Sequence, residues 1–511
     1  MWLINDQAPF LVKSICPLYN FEIMKISNKF NYPTAADLLN ALATKKISSS
    51  ELTEAAIARI EKEDKKINAV VVRDFDRARK AALAADAAIA RGEAGPLLGI
   101  PITVKESFSV KGLATTWGNP EFKNWMPEED SLVVARLKKA GAIILGKTNV
   151  PSMLDDWQTY NDLFGTTHNP WNTKLTSGGS SGGSAAALAM GYVSLELGSD
   201  LAGSLRIPAH FCGVCSHNPS FDLVPLRGSG PPMAPPYSGR VDFVVAGPMA
   251  RTAADLEIGL RAIAGPDEKL EGAGYQLSLP PVKQKSLRDF RVLLLDEHPL
   301  YPTAVSIKEA QNNLAEKLKK AGVDIQRTSK DLPDLAKIAK NYSLLLGAWY
   351  SALMTQADYE QSQIKFKKIP SDDDSLGTHF FRGMIMNHRD WILATRLREI
   401  LRLKWRNLYN QFDVVLCPVS PTTAFPHDHS EKQSKRKLEI DGVLHPYSNQ
   451  YIWVCNSTLF GLPSTVIPMG LTKENLPVGV QIIGDFMQDL TTLGFAKLLE
   501  QEIGGFVSPP I

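Results

Sequence analysis

The feature of this chain that most constrains its fold is residues 176–208, where two clusters of glycine and serine flank a short alanine-rich segment. The first cluster, residues 178–184, reads GGSSGGS, and the second, residues 199–204, reads SDLAGS. Glycine lets backbone segments approach closely and reach positive φ, and alanine favours a helix. Two serine-bearing loops joined by one helix can face the same point. This is the arrangement that a serine nucleophile with a second serine as proton relay requires.

The composition is typical of a soluble globular protein. The 511 residues are 44% hydrophobic and 22% charged, and 56 basic against 54 acidic residues give a net charge of +2. This balance offers no electrostatic basis for capturing nucleic acid or a membrane surface, so neither is expected as a partner. We find no apolar run long enough for a transmembrane helix, and residues 1–23 lack the pattern of a secretory signal.

The cysteines indicate a reducing compartment. They form an odd and sparse set rather than a disulfide framework, namely Cys16, Cys212, Cys215, Cys417 and Cys455. We therefore expect a cytoplasmic protein. Cys212 and Cys215 have CxxC spacing, but no second cysteine or histidine pair lies at zinc-site spacing. We expect small buried thiols there, and neither a metal nor a cofactor.

Helical and strand-like segments alternate along most of the chain. Residues 34–91 show helical periodicity, with Ser48 and Glu51 forming a capping box ahead of an apolar face. Short apolar runs predict buried strands at residues 97–104, 142–145, 241–246, 290–295, 412–417, 464–468 and 478–483. The proline-rich residues 208–236 are typical of a surface loop. The alternation predicts an α/β fold with a large mixed, mostly covered central β-sheet flanked by helices.

We expect one large domain, residues 31–505. Residues 1–30 show no clear period, which predicts an N-terminal extension that is poorly ordered or loosely attached. Residues 330–412 are predicted to be mostly helical and are rich in aromatic residues, and residues 447–460 also have a helical pattern. We expect the block 330–412 to pack on the sheet as an appendage.

Three kinds of chemistry fit the glycine and serine clusters. A phosphate-binding P-loop needs a lysine and a serine or threonine after the glycine turn, and residues 183–185 contain no lysine. A nucleophile elbow fits residues 178–182, but residues 172–176 are a poor strand and a run of small residues meets this pattern easily. The third is a serine activated by a lysine whose pKa burial has lowered. Lys105 and Lys147 each follow an apolar strand, and the pattern alone does not choose between them.

Longer motifs extend beyond the two clusters. In chain order they are GIPITVKE at 99–106, GKTN at 146–149, GGSSGGSAAA at 178–187, GSD at 198–200, GSLRIPA at 203–209, FCG at 211–213, GLP at 461–463 and PVGVQIIG at 477–484. Together they closely resemble the signature of the amidase signature family of hydrolases, over residues 34–265 and 410–500. The resemblance implies an amidase signature fold for residues 31–505, with residues 330–412 as a variable helical insertion on the substrate side.

The resemblance also implies a Ser–cisSer–Lys catalytic triad. Lys105 matches the family's lysine, Ser180 matches its cis-configured relay serine, and Ser204 matches its nucleophile. Lys147, in the GKTN motif, is then expected to be structural. The positions expected to form the oxyanion hole and bind substrate are Leu201, Ala202 and Gly203. The supporting positions are Ser181, Ser199, Asp200 and Arg206.

The implied activity is hydrolysis of a carboxylic amide to a carboxylate and ammonia or an amine, through an acyl-enzyme. The alternatives are the amidase subunit of a tRNA-dependent amidotransferase and an enzyme acting mainly on esters or carbamates. The expected partner is a small-molecule amide substrate, with a homodimer as one possible assembly.

Two departures from the family pattern bear on loop geometry and substrate fit. Ala202 stands where glycine is common, and residues 216–219 replace the usual glycine and lysine. An apolar or aryl acyl group would suit the candidate pocket residues, which are Met153, Trp157, Trp349, Tyr350, Phe380, Phe381 and Trp453.

Overall fold

The computed structural model describes residues 32–235, 241–430 and 433–510, so the predicted extension 1–30 lies outside the described residues. Within these ranges the chain forms one central sheet of 11 strands and three two-stranded sheets. The strands are β1 Val70–Arg73, β2 Pro101–Lys105, β3 Ile143–Thr148, β4 Tyr160–Asn161, β5 Gly165–Thr166, β6 His168–Asn169, β7 Asn172–Thr176, β8 Leu195–Asp200, β9 Cys215–Asn218, β10 Val245–Ala250, β11 Arg291–Leu294, β12 Asp324–Gln326, β13 Val414–Pro418, β14 Lys437–Ile440, β15 Val443–Pro446, β16 Ser464–Leu471 and β17 Pro477–Ile483.

The central sheet mixes parallel and antiparallel strands. Its strand order is β1-β3-β2-β8-β10-β9-β16-β17-β13-β11-β12. Strands β3, β2 and β8 run parallel to one another near one end, and β13, β11 and β12 run parallel at the other. The remaining neighbours pair antiparallel.

Helices flank this sheet. The α-helices are Ala35–Ala43, Ser49–Ile67, Phe75–Ala90, Leu132–Lys139, Gly182–Ala189, Arg206–Cys212, Ala253–Ile263, Val305–Lys320, Leu335–Ser351, Gln356–Phe366, Leu376–Met384, His388–Leu408, Cys455–Thr458 and Asp489–Ile503. Every residue of β2, β3, β13 and β17 is buried, as expected for strands that are covered on both faces. The predicted fold class is therefore confirmed, and so is the capping box of Ser48 and Glu51.

Some elements differ from the sequence prediction. The sequence pattern does not predict β8 or β9, and the prediction of a surface loop for residues 208–236 is wrong at β9, whose residues are all buried. The reason is tertiary: the His217 ring bonds Thr465 Oγ1 at 2.9 Å and Asp489 Oδ1 at 3.1 Å, which allows a polar strand to enter the core. Residues 447–460 form a 3-10 helix, Tyr447–Ile452, and one short α-helix rather than a continuous helix.

The sheet brings Lys105 and both glycine and serine clusters to one edge. Strand β2 ends at Lys105, and its parallel neighbour β8 ends at Asp200, so the carboxyl ends of these strands lie side by side. The first cluster leads into the buried helix Gly182–Ala189, and the second leads into the buried helix Arg206–Cys212. The fold thus collects the candidate residues at strand ends, where ligand sites of α/β sheets commonly form.

Candidate active site

Lys105 is fully buried at the end of β2 and contacts both serine clusters. Its Nζ donates to Ser180 Oγ at 2.7 Å and to Ser199 Oγ at 3.0 Å, and lies 3.3 Å from the Ser199 carbonyl oxygen. Burial lowers the pKa of the Lys105 amine to about 7, although the charges of Asp200 and Glu196 act in the opposite direction. A substantial fraction of this amine is therefore neutral near pH 7.

Lys147, the second candidate lysine, is also buried but faces a different loop. Its Nζ donates to the Ala114 carbonyl oxygen at 2.8 Å and to Thr115 Oγ1 at 2.7 Å, and forms an ion pair with Glu106 at 3.5 Å. Burial lowers the pKa of Lys147 to about 8, against the charge of Glu106. Of the two lysines, Lys105 is the one that the structure places against Ser180.

Ser180 sits in a backbone segment that only glycine neighbours fit. The Gly179–Ser180 peptide bond is cis. Gly178 has φ of +83°, and a Cβ there would lie 2.7 Å from Pro208 Cα. A Cβ on Gly179 would lie 2.4 Å from the Asp156 carbonyl oxygen. The glycines of the first cluster are therefore required by close backbone packing around Ser180.

Ser204 reaches the same cavity from the second cluster. Its carbonyl oxygen accepts the Ser181 N–H at 3.1 Å, so the two serine-bearing loops are joined directly. Ser181 Oγ also donates to the Ser199 carbonyl oxygen at 3.3 Å. Ser180, Ser199 and Ser204 all line one cavity of about 530 Å³. This volume lies within the range of small-molecule sites.

A buried ion pair organises the loop between β8 and Ser204. Arg206 Nη2 and Nε donate to the Asp200 carboxylate at 2.8 and 3.0 Å. The same carboxylate accepts the N–H groups of Gly203 at 2.7 Å and Leu205 at 3.0 Å. Burial would raise the pKa of Asp200, but Arg206 and the two backbone donors outweigh it and the pKa lies below its usual value. Asp200 thus stays ionised and fixes the loop. It also engages the Gly203 N–H, one of the predicted oxyanion donors.

Two side chains outside the clusters hold the carbonyl groups of this loop. Tyr342 Oη donates to the Leu201 carbonyl oxygen at 2.8 Å, and Trp157 Nε1 donates to the Ala202 carbonyl oxygen at 2.9 Å. In a trans peptide unit the N–H points away from the preceding carbonyl oxygen. The Ala202 N–H therefore points away from Tyr342. The sequence analysis missed Tyr342 entirely and considered Trp157 only as a pocket residue.

The cavity wall is largely apolar and is supplied in large part by helices of the block 330–412. Its apolar and aromatic residues include Trp117, Met153, Leu154, Trp349, Tyr350, Leu353, Met354, Phe380 and Met384. Four predicted pocket residues are in this set, namely Met153, Trp349, Tyr350 and Phe380. Trp453 is instead a fully buried core residue that donates to Thr303 Oγ1. Asp155, which accepts the Tyr350 hydroxyl at 2.8 Å, adds a carboxylate to the wall.

The described cysteines take no part in this cavity. Cys212, Cys215, Cys417 and Cys455 are free and buried, which confirms the expectation of small buried thiols for the CxxC pair. Burial raises the pKa of each of these thiols. In the described ranges we find no group of three or more histidine, cysteine or carboxylate side chains that could hold a metal ion. Among the same residues, none of the helices has the length and apolar character needed to cross a membrane.

Comparison with known proteins relates this site to a described family. The family model described as "Amidase" matches residues 51–493. A glutamyl-tRNA(Gln) amidotransferase subunit of Roseiflexus castenholzii (strain DSM 13941 / HLO8) is 33% identical over 478 residues, which is 88% of this chain and 92% of that protein. The protein of the same name from Anaeromyxobacter sp. (strain K) is 32% identical over 495 residues, covering 92% of this chain and 96% of the relative.

Solved structures agree with this relationship. One, described as a vestigial protein complex that reveals the evolutionary origins of an s-triazine catabolic enzyme, has a TM-score of 0.78 and 26% identity. It covers 93% of this chain and 100% of its own. The fold and the chain-long likeness together extend the comparison from the motifs to the whole described structure.

Proposed function

The chain belongs to the amidase signature family, and we propose that it hydrolyses a carboxylic amide to a carboxylate and ammonia or an amine, with Ser204 as the nucleophile. The observation that supports this best is the 2.7 Å contact between the buried Lys105 amine and Ser180 Oγ, at a cavity that Ser204 also lines. A lysine kept partly neutral by burial can serve as a base near pH 7. The contact supplies the base that a serine nucleophile needs.

In the first step the neutral Lys105 amine accepts the Ser180 hydroxyl proton, and Ser180 accepts the proton of Ser204. Ser204 Oγ attacks the amide carbonyl carbon and forms a tetrahedral intermediate. The C–N bond then breaks, and the proton returns through Ser180 to the leaving nitrogen. Ammonia or the amine departs, and the acyl group remains as an ester of Ser204.

In the second step water attacks the acyl-enzyme. Its proton passes through Ser180 to Lys105, the ester bond to Ser204 Oγ breaks, and Ser204 recovers its proton by the same relay. The carboxylate leaves. Each catalytic group thus returns to its starting protonation state.

Backbone N–H groups of the loop 201–204 are proposed to stabilise the oxyanion. The Ala202 N–H is the favoured donor, because the Leu201 carbonyl in the same peptide unit is bonded to Tyr342. The Gly203 N–H already donates to Asp200, so its part in the oxyanion hole would have to be shared with that carboxylate. The roles of Ser181, Ser199, Asp200 and Arg206 are to hold the two loops together.

A second candidate function is the amidase subunit of an amidotransferase. It is favoured by the names of relatives that are 32–33% identical over 88–92% of this chain. The apolar cavity wall favours a stand-alone enzyme with an apolar acyl substrate instead. An enzyme acting mainly on esters or carbamates would use the same groups.

The test is to assay the purified chain alone against matched amides, anilides, esters and carbamates. We expect amide hydrolysis that Ser204→Ala abolishes. The matched control is Ser194→Ala, because Ser194 is also buried and its hydroxyl has no hydrogen-bond partner within the described residues. Unchanged hydrolysis in Ser204→Ala would refute the mechanism. Hydrolysis that appears only with a co-purified partner would select the amidotransferase role.

A further inference from the structure

Glu196 is a buried carboxyl group on β8, close to Lys105, that the proposed mechanism does not use. It is 1% exposed. In the parallel pairing of β2 with β8, Thr103 lies opposite Glu196. Lys105 follows Thr103 by two residues and so points to the same face of the sheet. The Glu196 and Lys105 side chains therefore share one face of two neighbouring strands.

A hydrogen bond passes across β2 beneath Lys105. Thr148, on β3, lies opposite Lys105 in the β2–β3 pairing. Its hydroxyl donates to Glu196 Oε1 at 3.0 Å, although β2 lies between the two strands that carry these residues. The Thr148 hydroxyl also contacts Ser184 Oγ at 2.8 Å. The stem of Lys105 is thus flanked by a polar group that ends in the carboxyl of Glu196.

Glu196 has no cationic side chain bonded to it among the described residues, and its Oε2 has no hydrogen-bond partner there. The other carboxylates near Lys105 are neutralised by cations. Arg206 pairs with Asp200, and Lys147 pairs with Glu106. Glu196 is therefore the carboxyl group whose charge is left to act on Lys105.

Resting on the proposed function, we propose that Glu196 is a positioning residue that sets the charge state of Lys105 and so the supply of neutral amine to the serine relay. An ionised Glu196 stabilises the ammonium form of Lys105, and a protonated Glu196 leaves the amine free to act as a base. The two groups then titrate as a coupled pair.

The electrostatics of both groups agree with this proposal. Burial raises the pKa of the Glu196 carboxyl to about 7, while neighbouring hydroxyls, that of Thr148 among them, act to lower it. Burial lowers the pKa of Lys105 to about 7, while the charges of Asp200 and Glu196 act to raise it. Both groups therefore change charge in the same pH range, near neutrality.

The experiment measures the rate of Ser204 labelling by a fluorophosphonate as a function of pH, for the full chain and for Glu196→Gln. Glutamine keeps the size and the bond to Thr148 but cannot ionise. Because the carboxylate no longer stabilises the ammonium form, the acid limb of the profile should move to lower pH by roughly one unit. A profile that does not move would overturn the proposal.

Glu500→Gln is the matched control. Glu500 is another largely buried carboxyl whose pKa burial raises to about 7. It bonds the Ala253 N–H and Cys215, which is on β9, and strands β8 and β10 separate β9 from β2. Its replacement should leave the acid limb in place, and an equal shift in both variants would overturn the proposal.

Thr148→Val provides a second variant if Glu196→Gln does not fold. It removes a hydrogen bond that favours the ionised carboxyl, so the acid limb should move in the same direction by a smaller amount. A shift to higher pH would contradict the proposal. Failure of the proposed function is distinguishable, because it would appear as Ser204 that is not labelled in the unmodified chain at any pH.

Discussion

Tyr342 Oη donates a hydrogen bond to the Leu201 carbonyl oxygen at 2.8 Å, so the helix Leu335–Ser351 holds the loop that carries Ser204. Tyr342 is fully buried, and burial raises the pKa of its phenol well above the ordinary value, so the hydroxyl remains a donor at all working pH values. This helix also supplies Trp349 and Tyr350 to the cavity wall. The block 330–412 therefore contacts both the cavity and the loop beside the nucleophile.

We predict that Tyr342→Phe lowers kcat about tenfold with a smaller change in KM. The Leu201 carbonyl would lose its buried partner, which costs about 1–3 kcal/mol, and the Ala202 N–H would lose its orientation. Steady-state kinetics on the best amide substrate provide the measurement. Tyr451→Phe is the matched control, because Tyr451 lies beside Tyr342 and its hydroxyl bonds Ser343 rather than the loop. A similar loss of kcat in both variants would contradict this account.

We predict that activity rises with pH through about 7 and that Lys105→Met removes this dependence along with most of the activity. Burial lowers the pKa of Lys105 to about 7, so the neutral base is scarce below that pH and predominates above it. The loss should be about 10²–10⁴-fold, the usual contribution of a general base. The pH profile of kcat/KM checks this. Lys147→Met, which removes the other buried lysine, should keep the rise through pH 7, and loss of the rise there would argue for Lys147 instead.

We predict that Arg206→Met destabilises the fold by about 3–5 kcal/mol, because it leaves the buried Asp200 carboxylate without its cation. Both members of this pair are fully buried, and Arg206 also donates to Gln481 and Thr458. Urea unfolding gives the free energy. Arg291→Met is the control, since Arg291 pairs with Asp413 but its side chain is 43% exposed, and it should cost about 1 kcal/mol or less. Equal losses would contradict the importance of burial.

We predict that Gly179→Ala prevents normal folding or abolishes activity. A Cβ at Gly179 would approach the Asp156 carbonyl oxygen to 2.4 Å, and it would also meet backbone atoms of Gln158, so it has no room to move. Gly377→Ala is the matched control, because its Cβ would meet only Ser375 Oγ at 4.0 Å within a helix. The control should be neutral or stabilising by about 1 kcal/mol or less. Soluble, fully active Gly179→Ala would contradict the packing described around Ser180.

The sequence predicted the chemistry-bearing residues better than their surroundings. Glycine and serine patterns and apolar strands are local signals, so the clusters, β2 and Lys105 could be predicted. The choice between Lys105 and Lys147 could not be made from residue pattern alone, because both lie at the ends of buried strands. The resemblance favoured Lys105, and the structure places that lysine against Ser180.

Contacts between distant parts of the chain explain what was missed. β9 reads CSHN, without a strand pattern, and becomes a buried strand because Thr465 and Asp489 bond its histidine. Tyr342 has an ordinary aromatic position on a helix, and nothing local marks its hydroxyl for a bond to Leu201. Glu196 likewise acquires its surroundings only when β3, β2 and β8 align.

The central claim is that Ser204 carries the acyl group, and the most direct measurement is peptide-mapping mass spectrometry of the chain trapped with an amide or ester substrate at low pH. We expect one added acyl group, located on Ser204, in the unmodified chain and in Ser194→Ala. No acyl group should be present in Ser204→Ala. Acylation of Ser180 or of another residue, or acylation that persists in Ser204→Ala, would contradict the account.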